Sequence, residues 1–257
     1  MAAFKGLIIK EFKITQYFFI TYMILLVAAI VGGYSFTNYI DEPKLFSIGM
    51  LLMILAHFFY LPLYLLTSLN IEGRTQLWLH NPNSVLKLIC AKLIPGLIFQ
   101  LISLSLSILI AIILIKQFNF FIEDFLIINI LMFVSIFLGS IYVSIWVLFY
   151  WTLNYALSRI LHIKSFRWLF IIFIWATITT LATYIRSHSL YKKIISLGEI
   201  KLNIIPFEMK SNTDYGFYEI FIHVPQEFSF IPFLLYIMTA LLIFFVSAWM
   251  LERKVEV

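Results

Sequence analysis

Charge is the first thing this chain lacks. Only 12% of its 257 residues are Asp, Glu, Lys or Arg, where a soluble domain carries roughly 25%. One cysteine, Cys90, excludes an internal disulfide framework and a cysteine-only metal site. No G-x-x-x-x-G-K-[ST] loop occurs, so the chain has no site of that kind for ATP. No H-E-x-x-H occurs and no paired carboxylates fall within an apolar run, so no catalytic or metal-ligating residues are assigned. The thirteen acidic residues are read as lying in loops, tails and span ends, which disfavours a proton- or sodium-coupled carrier. The net charge of +5 forms no basic stripe, and nucleic acid is not an expected partner. No small-residue cleavage site follows the first apolar run, so no cleavable signal peptide is expected.

What the chain has is apolar length. It is 63% hydrophobic, in runs of about 20 residues or more, which suffice to cross a ~30 Å hydrocarbon core as helices. The reading is an all-α membrane protein, a single transmembrane domain over 1–257, with spans at about 17–34, 46–69, 88–115, 125–153, 168–185 and 230–251. Lys5, Lys10, Lys13, Arg74, Lys87, Lys92, Arg159, Lys164, Arg167, Arg253 and Lys254 fall on one side. Only Lys44 and Lys116 occupy the opposite short loops. The positive-inside rule then puts both termini in the cytoplasm, with residues 186–229 as an extracellular loop, expected to be partly helical around 188–200.

Residues 1–15 read as an amphipathic helix against membrane lipid. Phe4, Leu7, Ile8 and Phe12 share one face, and Lys5, Lys10 and Lys13 reach water and headgroups. Inside the second span, His57 is an ionisable residue in "MILAHFFYLPLYLL", with Tyr60 and Tyr64 close by and Pro62 placed to kink the helix. Gly96, Gln100, Ser103 and Ser107 form a small or polar stripe at helical spacing in the third span. Both features fit helix packing, and both fit the lining of a substrate path. Ser135, Gly139, Ser140 and Ser144 make small-residue pairs in the fourth span and read as packing.

The connector at 70–87 stands apart. Its segment "IEGRTQLWLHNP" crowds Glu72, Arg74, Gln76, Trp78, His80 and Asn81 between two greasy runs. Leu77, Trp78 and Leu79 are apolar knobs suited to a groove on a partner, and Pro82 stops a helix before "NPNS" turns the chain. An interfacial turn anchored by Trp78 is the plainer reading. Glu72, Gly73, Leu77, Leu79 and Pro82, together with the N-terminal helix, six spans, internal ends and structured outer loop, resemble the permease subunits of bacterial type-2 ABC exporters. That family usually sets the basic residue directly after the acid; here Gly73 stands between Glu72 and Arg74.

The resemblance implies a bacterial cell-membrane protein with a separate ABC ATPase subunit that binds ATP and Mg and pushes on the 71–82 connector and the N-terminal helix. It also implies a second permease chain, identical or related. The spans are read as free of fixed charge, and the chain is 18% aromatic. Both suit a hydrophobic or amphipathic cargo, the best guess being an exported peptide such as a toxin or antimicrobial peptide. The rival readings are a non-transporting accessory or immunity protein, and a membrane-embedded enzyme built on His57, Tyr60 and Tyr64.

Overall fold

A computed structural model describes residues 2–41, 43–75, 83–117, 125–158, 165–196, 198–201, 207–213, 216–222 and 227–255. Among these are six helices long and apolar enough to cross a membrane, one for each expected span, as befits a multi-pass membrane protein. In lipid every backbone polar group must be satisfied within the chain, and helices do this segment by segment. Helix α1 (Ala2–Ile40) has 39 residues and α4 (Val85–Gln117) has 33. At 1.5 Å per residue both exceed a ~30 Å core.

The chain divides into two compact units, Met1–Ser165 with Leu242–Val257, and Phe166–Leu241. In the first, the expected N-terminal helix and first span are one continuous helix, α1. No proline or glycine lies between Leu7 and Val31 to interrupt it. Asp41 adopts φ 60°, a left-handed turn that Asp tolerates, and Pro43 opens α2 (Pro43–Ala56), where its missing N–H costs nothing. A 3₁₀ turn, His57–Phe59, joins α2 to α3 (Tyr60–Thr75). The break has a local cause: Pro62 gives no hydrogen bond to the carbonyl four residues earlier, and its ring crowds that carbonyl.

Helices α3 and α4 press together at Gly96. A Cβ there would stand 2.6 Å from the Tyr64 ring and 2.7 Å from Leu61 Cδ1. Helix α5 (Phe125–Ser158) packs on α3, and the main core joins Tyr60, Leu61, Tyr64, Leu65 and Leu69 to Ile89, Leu148 and Trp151. Leu7 and Phe12 of α1 pack against this core, and Phe12 meets Phe99 edge to face with ring centroids 5.2 Å apart. Part of the amphipathic face therefore meets protein rather than lipid.

The second unit holds α6 (Arg167–Ser187), α7 (Ser189–Ser196) and the first half of α8 (Phe230–Met250). A π-helical turn, Leu251–Val255, follows α8. The expected helical segment of the loop is present as α7. The loop also contains strands that periodicity did not announce. β1 (Glu199–Lys201) pairs antiparallel with β4 (Glu227–Ser229), and β2 (Phe207–Thr213) with β3 (Gly216–Ile222), in the register Thr213 to Gly216.

A candidate functional site where the connector leaves the bundle

Glu72 lies on the last turn of α3, where the connector begins, and it points inward. It is 5% exposed, Glu11 of α1 is 3% exposed and Lys92 of α4 is 1% exposed. With Lys10 they form a closed ring of alternating charge. Lys92 Nζ lies 3.0 Å from Glu11 Oε2 and 3.1 Å from Glu72 Oε2. Lys10 Nζ lies 3.1 Å from Glu72 Oε1 and 3.5 Å from Glu11 Oε1. Ser68 sits inside the ring, accepting from Lys92 Nζ at 3.0 Å and donating to Glu11 Oε2 at 3.3 Å.

Two carboxylates and two ammonium groups sum to zero charge. Each buried charge faces two of opposite sign, the arrangement that offsets a desolvation cost of several kcal/mol per ion. The ring ties together three helices that are remote in sequence. A fourth contact comes from α5. Trp151 Nε1 donates to Asn70 Oδ1 at 2.9 Å, and a Cβ at Gly73 would stand 2.5 Å from Tyr155 Oη and 2.9 Å from Trp151. The glycine between Glu72 and Arg74 therefore has a packing reason: only a residue without a side chain lets α3 approach α5 this closely.

Two sequence expectations change here. Glu72, expected as a docking contact, is an internal ion partner rather than a surface group, because its carboxylate meets Lys10 and Lys92. The spans are not free of fixed charge, because Lys92 is buried inside the third one, neutralised from α1 and α3. Arg74 stands on the last turn of α3. Gln76, Leu77, Trp78, Leu79, His80, Asn81 and Pro82 lie outside the described residues. On α1, Lys5 and Lys13 are exposed and Lys10 and Phe12 are half-buried.

Deeper in the bundle is a second, uncharged cluster. His57, Gln100, Ser103 and Ser107 are fully buried, and Tyr60 and Tyr64 nearly so. His57 Nδ1 lies 3.0 Å from the Met53 carbonyl. A carbonyl can only accept, so the neutral ring carries its proton there and Nε2 is the acceptor. Ser107 Oγ, 3.3 Å from Nε2, can donate to it, and lies 2.9 Å from the Ser103 carbonyl as well. Gln100 Nε2 donates to the His57 carbonyl at 3.3 Å, capping the 3₁₀ turn from α4. Tyr22 of α1 meets the imidazole edge to face, with centroids 5.3 Å apart. Tyr64 Oη lies 3.1 Å from Thr15 Oγ1 and 3.3 Å from the Lys92 carbonyl, which links this cluster toward the ring.

His57 and Ser107 thus make the contact of a base with a hydroxyl nucleophile. Both are sealed within the helix packing, and a main-chain carbonyl stands where a hydrolase sets a carboxylate. The arrangement is suited to holding helices in register. Among the described residues, no three or more His, Cys, Asp or Glu side chains are placed to share a metal ion.

Sequence reasoning missed Glu11 and Lys92 as partners. A signal was present for each. Glu11 lies three and four residues after Ile8 and Leu7, on the apolar face, and Lys92 follows Ile89 in a run that is otherwise apolar or small.

Comparison with known proteins leaves the family open. No family model matches the chain, and no solved structure does. A Bacillus subtilis (strain 168) protein described as "Uncharacterized protein YhcE" is 24% identical over 265 residues, spanning the whole of both chains.

Proposed function

We propose that this chain is the membrane-spanning subunit of an ATP-driven exporter of the type-2 ABC kind. ATP and Mg would be bound by a separate ATPase subunit, and the translocation path would form between two permease chains in a bacterial cell membrane, with both termini cytoplasmic. The observation that carries the reading is the way the connector is rooted. Its first turn is held by ion pairs to α1 and α4 and packed against α5. A force on a connector held this way is delivered to three helices at once, which is what a subunit driven from outside requires.

In this reading Leu77, Trp78 and Leu79 enter a groove on the ATPase, and Arg74, Gln76, His80 and Asn81 orient them at its rim. Glu72 acts one step behind, as the group that passes the displacement to Lys10 and Lys92. The cargo class is a hydrophobic or amphipathic peptide, in keeping with an 18% aromatic chain.

The test is affinity purification of the tagged chain from its own host. The reading expects an ATPase to come down with it, and expects Leu77→Ala with Trp78→Ala to abolish that association while membrane insertion persists. A chain that neither retains an ATPase nor stimulates one would instead be an accessory or immunity protein acting by sequestration.

A further inference from the structure

Helix α7 is tethered at both ends to the ends of membrane spans. Its start is separated from α6 by the single residue His188, which is extended (φ −70°, ψ 140°) and so turns the chain sharply. The His188 ring caps the new helix by accepting from Leu190 N at 3.3 Å. The other end is tied to the start of α8. Ser229 Oγ donates to the Ile195 carbonyl at 2.9 Å, and Phe230 N donates to the Gly198 carbonyl at 3.3 Å. The helix therefore lies between the end of α6 and the start of α8, the two ends that would meet the same face of a bilayer crossed by both helices.

Its surroundings differ from side to side. Tyr191 and Ile195 are half-buried against the protein. Leu190 and Ile194 are 63% and 49% exposed. At about 100° per residue these two side chains lie within ~40° of each other. Lys193 stands ~60° from Leu190, flanking the open apolar edge, whereas Lys192 lies on the far side of the helix. From Arg186 to Ser196 there is no acidic residue.

We propose that α7 is a bilayer-binding helix, in which Leu190 and Ile194 enter the boundary between headgroups and acyl chains and Lys193 contacts lipid phosphate. Lipid is the occupant because the two tethers hold the open apolar edge at the height of the headgroups, and because the flanking charge is of the sign that phosphates attract. The inference stands independently of the exporter reading, since it concerns only the second unit and the membrane.

The test uses the full chain with Cys90→Ala, carrying single spin-labelled cysteines at positions 189, 190, 192 and 194, reconstituted in phosphatidylcholine vesicles with or without phosphatidylglycerol. Labels at 190 and 194 are expected to favour oxygen over a water-soluble nickel chelate several-fold more than labels at 189 and 192, at a depth of about 5–10 Å. Equal, water-like accessibility at all four positions overturns the proposal. Phosphatidylglycerol should deepen the label at 194 in the parent chain and in Lys192→Glu, but not in Lys193→Glu, each variant being checked for unchanged helicity. A lipid response that survives Lys193→Glu removes the phosphate contact from the proposal. A response lost equally in Lys192→Glu overturns the assignment of faces.

Discussion

The two buried polar clusters of the first unit solve the same problem by different means. The ring at the base of α3 uses full charges and closes on itself. The His57 cluster, deeper in the bundle, uses only neutral groups, and they lean on main-chain carbonyls. A charge is costly to bury alone and strongly held when matched, so the three buried charges of the ring, Glu11, Glu72 and Lys92, depend on one another. A neutral hydrogen bond is worth roughly 0.5–1.5 kcal/mol net, so the deep cluster can lose a member and persist. Strong coupling thus sits where the connector starts, and graded coupling sits in the interior.

Substitutions can break this contrast. Lys92→Met leaves the buried carboxylates of Glu11 and Glu72 with only the partly exposed Lys10 to offset them, and should cost about 3–5 kcal/mol in a denaturant titration of the micelle-bound protein. Replacing Glu11 and Glu72 by Leu in the same chain should recover most of that loss. A single loss that stays below ~1 kcal/mol would mean that the ring is no tighter than a surface pair. Gly96→Leu drives a side chain into Tyr64 and Leu61, and should cost about 1–3 kcal/mol or shift α4 from α3. Crosslinking between cysteines placed on the two helices would detect the shift.

Ser107→Ala removes the hydroxyl that lies between His57 Nε2 and the Ser103 carbonyl and should cost about 1 kcal/mol. A change as large as that of Lys92→Met would erase the distinction between the clusters. Lys10→Ala should cost least, about 0–1 kcal/mol, because the Lys10 side chain is 36% exposed and water can take over part of its role.

The spans were legible because hydropathy is a local property. The deep cluster was half legible: Gln100, Ser103 and Ser107 recur at helical spacing, and that spacing placed them on one face, although nothing in it named His57 as their partner. The ring went unread, although Glu11 on an apolar face and Lys92 in an apolar run each left a local trace. Lys92 and Lys10 counted as markers of the cytoplasmic side, and Glu72 counted as a surface group, because each was weighed by its neighbours in sequence. Their true neighbours are 62 and 81 positions away. The loop strands escaped for a related reason: β1 and β4 are three residues each, and they are defined by pairing across the whole loop rather than by any pattern of their own.

The ring also sets a timetable for biogenesis. Glu11 is made early, and its buried counter-charge is made 81 residues later. Until Lys92 leaves the ribosome, the N-terminal helix carries a carboxylate that has no place in the interior and must remain in contact with water. The first helix can enter the membrane at once, but it can seat against its neighbours only after the third has arrived. Nascent chains whose Lys92 has not yet left the ribosome should therefore leave a cysteine at position 15, one turn from Glu11, open to water-soluble thiol reagents, and chains long enough to release Lys92 and the rest of its helix should close it.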